Sequence, residues 1–377
     1  MSLRTVGTNH SGYNEQRNII SVPHSKYVVE KCFNPFKMID HFSYKVFGTT
    51  VQLFHNSHVD IGHAKVDLYH FFNGISLSST PWVTTFETSL PRLGNAPEIF
   101  YRYYLRALRG DRCKRLIAMS EHARNNMLRY LDGVSEDVCN EVVNKLTVLH
   151  PPQAPLLQSV AEKRCPSDGI VFTIIGHDFF RKGGEILRAF DGLLQEYDEL
   201  ELHIVSCLQF GDYASKTTQQ DLSRALAVIN RWPGKIHHHR QLPWEQVLEQ
   251  LSASHVALLP SWDDTYGYSV LEAQAAGCPV ITTDIRALPE INNEEVGWLI
   301  PVPKDENGFA LRHSADEREK LSRSIFEGIY STVKSIMENQ DVIYEKGQAA
   351  LERIKKYHDP KTYASRLEMI YDEALSL

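Results

Sequence analysis

Two carboxylates, Asp264 and Glu272, stand eight positions apart, and either could bind hydroxyl groups of a ligand. Between them lies a loop in which Gly267 allows a ligand to approach the backbone closely. A helix is expected to begin near Ser269, and a helix N-terminus carries unpaired N–H groups and partial positive charge that suit a diphosphate. The segment therefore predicts a site for a ligand that carries a diphosphate between two groups of hydroxyls.

Glu272 has a second interpretation. Ser269 and Glu272 have the spacing of a capping box, in which the two side chains satisfy N–H groups at the start of their own helix. Glu272 alone fits both interpretations equally well. The order of loop, helix start and apolar strand in the whole segment favours ligand binding.

A Gly-rich turn at 176–184 follows an apolar strand and opens a helix. It carries Gly176, His177, Arg181 and Lys182, and basic side chains in such a turn suit a pyrophosphate. The alternative is a basic loop that faces only solvent. The P-loop pattern is absent, which argues against kinase or ATPase chemistry.

Both segments require elements that hold them at strand ends. Short apolar runs alternate with helical patterns along the chain, which is typical of α/β proteins with parallel sheets. The predicted strands are 45–54, 66–72, 82–86, 115–119, 146–149, 170–175, 200–205, 235–239, 255–259, 280–283 and 298–301. The predicted helices are 185–197, 217–230, 244–252, 321–357 and 360–377.

The length of 377 residues suits two domains. A proline-bearing stretch without periodicity follows residue 150 and is predicted to link them. We expect a first domain at 1–155, a second at 156–358 and a final helix at 359–377. The first domain has a shortened or atypical start, because no clear apolar strand and Gly-rich turn open it. The candidate for its opening strand is 18–22.

Composition is that of a globular protein, with 42% hydrophobic and 23% charged residues. No apolar run approaches the roughly 20 residues that span a membrane, and the polar start shows no secretory signal. The six cysteines have no Cys-x-x-Cys spacing, which favours reduced thiols. We therefore expect a cytoplasmic protein.

The net charge is uneven along the chain: the first 150 positions carry 17 Lys and Arg against 13 Asp and Glu, a net of +4, although the whole chain has a net charge of −7. This suits an anionic partner, or is ordinary surface charge. The stretch 92–115 interleaves basic and aromatic residues. An ordinary helix with a buried aromatic face is favoured there over a peripheral membrane helix. No nucleic-acid partner is expected.

The segment that contains the two carboxylates resembles the Glu-x7-Glu signature of retaining GT-B glycosyltransferases, the large family called glycosyl transferases group 1. The resemblance is strong over 171–300 and implies two Rossmann-like domains with parallel sheets that face each other across a cleft. It implies that Asp264 contacts sugar hydroxyls and that Glu272 binds the ribose of a nucleotide sugar. It also implies that the phosphates bind the loop formed by Tyr266, Gly267, Tyr268, Ser269 and Val270.

The turn at 176–184 resembles the family's Gly-Arg…Lys-Gly element, so Gly176 and Lys182 are expected to hold the leaving diphosphate. His177 stands at the family's arginine position, and either His177 or Arg181 is expected to supply the second charge. The stretch 82–89 resembles the family's Thr-Phe-His-Thr stretch, with Glu87 at the position of the histidine beside the donor sugar.

Glu87 could hydrogen-bond a sugar hydroxyl, stabilise an oxocarbenium-like charge or act as a nucleophile. The alternative is a glutamate at a strand end that faces solvent. Glu87, Asp264 and Lys182 are the candidate catalytic residues. His70 and Asn73, at the end of the strand 66–72, are candidate acceptor-side residues.

The resemblance implies transfer of a sugar from a nucleoside diphosphate sugar to a hydroxyl of a glycan, a lipid-linked molecule or a small molecule, with retention of anomeric configuration. It also implies that neither a metal nor a cofactor is needed. His237, His238 and His239 are not predicted to bind a metal, because adjacent strand residues alternate faces. Two alternatives are a catalytically impaired GT-B binding or regulatory subunit and a GT-B epimerase or phosphorylase.

Overall fold

The computed structural model describes residues 3–9, 12–60 and 65–376. The chain forms two compact units. The first comprises Met1–Pro152 together with His358–Leu377, and the second comprises Gln153–Tyr357. Within the described residues, no helix combines the length and the apolar composition that crossing a membrane requires.

The first unit is built on a six-stranded parallel sheet in the order β2-β1-β4-β6-β7-β8. All five residues of β4 and of β6 are buried, as expected where helices cover both faces of a parallel sheet. The strands are β1 (Arg4–Thr8), β2 (Tyr27–Lys31), β3 (Ser57–His58), β4 (Leu68–Phe72), β5 (Ile75–Ser76), β6 (Trp82–Phe86), β7 (Cys113–Ala118) and β8 (Leu146–Val148), where β3 and β5 form a separate short pair.

Helices of the first unit lie between these strands, and the C-terminal helix Pro360–Ser376 joins them. Tyr363, Leu367 and Tyr371 of that helix share one apolar core with Val6 and Leu68. The other helices are α1 (Tyr13–Glu15), α2 (Pro35–Phe47), α3 (Gln52–His55), α4 (Glu98–Arg109), α5 (Glu121–Tyr130) and α6 (Glu136–Val143), and a π-helical turn spans Gln16–Ile20.

The predicted start of this unit is wrong in two places. The sheet opens with β1, while the candidate strand 18–22 lies largely in the π-helical turn. β1 contains Gly7, which packs against Tyr69, and the Tyr69 ring would lie 2.6 Å from a Cβ at that position. A glycine is needed there in place of an apolar side chain, so the apolar pattern of β1 is weak. The predicted strand 45–54 is helical on both sides of a left-handed Gly48, which ends α2.

The second unit contains a six-stranded parallel sheet in the order β11-β10-β9-β12-β13-β14. Successive strands are added on one side of β9 as far as β11 and then on its other side from β12 onward, so the strand order reverses between β9 and β12. In such folds ligands bind beyond the carboxyl ends of the strands at this reversal point. The strands are β9 (Ile170–Ile175), β10 (Leu200–Val205), β11 (Ile236–His239), β12 (Val256–Leu259), β13 (Val280–Thr283) and β14 (Gly297–Ile300).

Seven α-helices and a 3₁₀ turn at Val160–Glu162 accompany this sheet in the part of the unit that the structure describes. The predicted single helix 321–357 is in fact two helices, because Asn339 leaves the helical backbone conformation (φ −144°, ψ 87°) between them. The helices are α7 (Glu185–Leu193), α8 (Gln219–Arg231), α9 (Trp244–Ser252), α10 (Tyr268–Ala275), α11 (Leu288–Ile291), α12 (Ala315–Glu338) and α13 (Asp341–Tyr357).

His70 is part of the core of the first unit. It has no exposed surface, and its ring nitrogens lie 2.7 Å from the Tyr371 hydroxyl and 2.8 Å from Thr85 Oγ1. The prediction that His70 faces an acceptor is therefore corrected, since both polar atoms are occupied within the core. Burial and, to a smaller extent, the charge of the nearby His24 together lower the pKa of His70 to about 3.

The first unit is expected to lose stability on mild acidification through His70. The folded state keeps the ring neutral, whereas the unfolded chain takes up a proton near pH 6.5, so the free energy of unfolding falls as pH drops below that value. The slope from this residue is about 1.4 kcal/mol per pH unit. Urea titrations at pH 7, 6 and 5 should give a shallower dependence for His70→Gln, and equal slopes would contradict the assignment.

Candidate functional site

The two predicted basic and acidic segments meet at the reversal point of the second sheet. The Gly-rich turn follows β9, and the acidic segment follows β12, the neighbouring strand. Lys182 Nζ donates a hydrogen bond of 2.8 Å to Asp264 Oδ2, and Arg181 Nη1 lies 3.9 Å from the same oxygen. Residues 82 positions apart thus form one charged cluster at the carboxyl ends of the strands.

Asp264 is buried and negatively charged at neutral pH. Burial alone would raise its pKa, but the positive charge and hydrogen bond of Lys182, the charge of Arg181 and the Tyr266 backbone N–H together hold it below the ordinary value. The cluster therefore combines a fixed carboxylate with two cations.

Two glycines allow the turn to approach its neighbours closely. A Cβ on Gly176 would lie 2.2 Å from Lys182 Cδ, so the bare backbone leaves room for the lysine stem. Gly183 has φ +123°, and a Cβ there would lie 2.6 Å from a ring atom of Pro260. The glycines position Lys182 against the end of β12, which explains their presence in the turn.

The helix α10 begins at Tyr268, one residue before the predicted start. Its N-cap is Gly267, with φ +96° and no side-chain cap hydrogen bond. Ser269 is therefore the second helical residue and cannot form a capping box with Glu272, which lies in the second turn and is buried. The capping interpretation of Glu272 is wrong for this reason. Val270 is fully buried, and Ser269 Oγ has no hydrogen-bond partner within the described residues.

Asp263 forms a second ionic cluster that sequence reasoning missed. Its two carboxylate oxygens accept hydrogen bonds from Arg286 Nη1 and, at 2.7 Å, from Arg312 Nη2. Arg181 Nη1 donates to the backbone oxygen of Asp263 at 2.5 Å. Asp263 thereby fixes the loop that carries Asp264. The only sequence signal was the adjacent pair of aspartates, since the arginines are distant in sequence.

A cavity of about 720 Å³ lies beside the turn, between the ends of β9, β10 and the segment after β11. His177 lines it with an exposed side chain, and its backbone oxygen accepts a hydrogen bond of 3.1 Å from Ser206. Arg240, Gln241 and Leu242 line the cavity as well. The size and position of this cavity suit a planar ring system attached to a ligand that reaches Lys182.

Glu87 lies in the first unit, immediately after β6, where its side chain is half-buried. Its Oε1 accepts hydrogen bonds from Arg92 Nη1 at 2.5 Å and from Asn73 Nδ2 at 3.2 Å. Asn73 has φ +56°, a conformation that asparagine tolerates better than most residues. The solvent-facing interpretation of Glu87 is wrong, because the carboxylate is ion-paired and held by Asn73.

Glu15 and Lys37 belong to the same region of the first unit and were not predicted. Burial raises the pKa of Glu15, Lys37 lowers it, and the Glu87 charge raises it. Burial lowers the pKa of Lys37 to about 8 although two nearby carboxylates act in the opposite direction. Both residues lie before the strand predicted at 45–54, in a stretch without a recognised motif, so no sequence signal pointed to them.

Residues 159–314 match the family described as glycosyl transferases group 1. A D-inositol 3-phosphate glycosyltransferase of Streptomyces griseus subsp. griseus is 24% identical over 225 residues, which is 55% of this chain and 48% of the relative. The chain thus spans about half the length of that curated relative.

The solved structures that are similar to this chain include two that cover its whole length. A glycosyltransferase from Rickettsia africae ESF-5 is similar with a TM-score of 0.62 and 16% identity, over 100% of this chain and 99% of that one. Anabaena HepE in complex with UDP-glucose has a TM-score of 0.59 and 13% identity, over 100% of both chains. The chain has the GT-B fold, and residues 159–314 of its second unit are similar to the glycosyl transferases group 1 family.

Proposed function

We propose that the protein transfers a sugar from a nucleoside diphosphate sugar to a hydroxyl acceptor with retention of anomeric configuration. The observation that carries the proposal is the 2.8 Å contact between Lys182 and Asp264 at the reversal point of the second sheet, next to the start of α10. A cation, a carboxylate and a helix N-terminus together suit a diphosphate that is bonded to a sugar.

In this proposal each part of the donor has its own partner. The diphosphate binds Lys182, Arg181 and the backbone N–H groups at the start of α10. Asp264 accepts hydrogen bonds from sugar hydroxyls, and Glu272 accepts them from the ribose. The base enters the 720 Å³ cavity beside His177. Gly176 supports this arrangement by leaving room for the stem of Lys182.

The reaction breaks the bond between the anomeric carbon and the diphosphate oxygen, and the diphosphate leaves with the electron pair. Lys182 and Arg181 stabilise that charge, which is the main contribution of the protein. The acceptor oxygen forms the new bond, and its proton passes to the leaving diphosphate. We propose that the transfer needs neither a metal nor a cofactor.

Glu87 is proposed to bind or stabilise the donor sugar rather than to attack it. Arg92 and Asn73 both hold its carboxylate oxygen, and a carboxylate that already accepts a salt bridge is a weaker nucleophile. Asn73 is proposed as the residue that orients Glu87. Asn73 therefore stays a candidate acceptor-side residue in this proposal, whereas His70 does not.

UDP-sugars are the first donors to consider, because HepE is similar in fold over its whole length and its structure contains UDP-glucose. The acceptor is proposed to be a hydroxyl of a glycan, a lipid-linked molecule or a small molecule. Helix α4 exposes Ile99 and Tyr103 and buries Tyr104 and Leu108. The helix therefore has the buried aromatic face that was expected, and a peripheral membrane contact of its outer face stays a prediction.

A panel of nucleotide sugars tests the proposal. At least one should raise the unfolding temperature of the full chain, and release of nucleoside diphosphate should depend on an added acceptor. Binding without any release would favour a binding or regulatory subunit. Release without an acceptor would favour an epimerase or hydrolytic activity, and release that needs inorganic phosphate would favour a phosphorylase. Absence of any binding across the panel would overturn the proposal.

A further inference from the structure

A cluster of one carboxylate and two imidazoles lies on the outer strands of the second sheet. Glu201 and His203 are two positions apart on β10, so their side chains share one face. His237 on β11 is paired directly with His203 in the parallel register. Strand alternation places Leu202 and His238 on the other face of the sheet. Glu201, His203 and His237 therefore lie together on one face as three potential ligands.

The distances within the cluster are close to those of a metal site. Glu201 Oε2 lies 3.5 Å from His203 Nε2 and 3.7 Å from His237 Nε2. The three ligand atoms lie within 4.8 Å of one another, and the two imidazole rings are stacked with centroids 4.4 Å apart. Ligands of a tetrahedral zinc ion are about 3.3 Å apart, so small side-chain rotations would complete the arrangement.

We propose that Glu201, His203 and His237 bind one divalent transition-metal ion, with Zn²⁺ as the ion that their chemistry fits best. Two imidazoles and one carboxylate favour such an ion over Mg²⁺ or Ca²⁺, which prefer oxygen ligands. Three protein ligands leave a fourth position for water. All three side chains are only partly buried, so the ion can enter from solvent.

The ion would connect β10 to β11, which is the edge strand of the sheet. Edge strands have one unpaired side and depend on few cross-strand contacts. Without the ion, the two stacked imidazoles have the Glu201 carboxylate as a charged neighbour. With it, both rings would be held neutral as ligands.

The sequence directed attention to the wrong set of histidines. His237, His238 and His239 are consecutive, and alternation does exclude them as one ligand set. The other two ligands, Glu201 and His203, come from β10, and His203 precedes His237 by 34 positions. Only the register of the two strands brings these side chains together.

The test is a calorimetric titration of the full, tag-free chain with ZnCl₂ after treatment with EDTA. We expect one ion per chain and a higher unfolding temperature in the presence of zinc. His203→Ala and His237→Ala should each weaken zinc affinity by about 100-fold or more, since loss of even an outer-shell partner costs about 10–100-fold. Glu201→Gln should weaken it as well.

His238→Ala is the matched control, because His238 lies on the same strand but on the opposite face. His239 shares the face of His237 and is unsuitable as a control. Zinc affinity of His238→Ala should stay within about twofold of the unsubstituted chain by this argument. The proposal is overturned if zinc binding is not saturable at one ion per chain, or if His203→Ala and His237→Ala bind zinc as the unsubstituted chain does.

Discussion

Lys182→Ala is expected to weaken binding of the nucleoside diphosphate by about 100-fold. Hydrogen bonds to charged groups contribute about 1.5–3 kcal/mol, which corresponds to about 10-fold to 150-fold in the dissociation constant. Lys182 lies at the upper part of this range, because it sits among buried groups next to Asp264, where water screens its charge poorly. Calorimetric titration with UDP, or with the diphosphate that the panel identifies, measures the effect.

Stability must be separated from binding in this variant. Lys182→Ala leaves the Asp264 carboxylate with Arg181 at 3.9 Å as its remaining charged neighbour, so the folded state is destabilised as well. The double variant Lys182→Ala with Asp264→Asn removes that unpaired charge. It should recover part of the free energy of unfolding while diphosphate binding stays weak.

Lys334→Ala is the control for a lysine in an ion pair outside the site. Lys334 pairs with Glu196 at 3.3 Å and is nearly half exposed, so its replacement should leave diphosphate binding unchanged. If Lys182→Ala binds the diphosphate as tightly as Lys334→Ala does, Lys182 does not hold the diphosphate and the proposed site is wrong.

The sequence predicted the second unit well because its signals are local. The strands β9 and β12 are short apolar runs, and the glycines at 176 and 267 mark turns where the backbone must approach other atoms. Such features depend on neighbouring residues, so periodicity and turn chemistry suffice to locate them. The placement of Lys182 near Asp264 followed from the family resemblance and is found in the structure.

The first unit could not be predicted to the same extent, for a physical reason. β1 contains polar residues and a glycine, and its stability comes from pairing with β2 and β4, which are distant in sequence. Contacts of that kind leave no periodic pattern. The same limitation hid Glu15 and Lys37 near Glu87, because their proximity depends on how the chain folds back.

Asp263→Ala is expected to lower the free energy of unfolding of the second unit by about 3–5 kcal/mol, the usual cost of removing one partner from a buried ion pair. The side chains of Asp263 and Arg286 are only 6% and 8% exposed, so water cannot replace the lost carboxylate. Arg312 is 23% exposed and can turn partly toward solvent. Urea titration with a reporter in the second unit measures the change.

Asp316→Ala is the matched control, because Asp316 pairs with Lys320 in an exposed ion pair and should cost less than about 1 kcal/mol. Asp263→Ala combined with Arg286→Met should recover part of the loss, since it removes the arginine that is left buried and unpaired. That recovery distinguishes an uncompensated charge from a simple loss of packing. If the double variant is less stable than Asp263→Ala alone, the cost arises from contacts that Arg286 makes elsewhere, such as its position 5.0 Å from the Phe309 ring. The carboxylate would then contribute less to fixing the Asp264 loop than its two arginine contacts indicate.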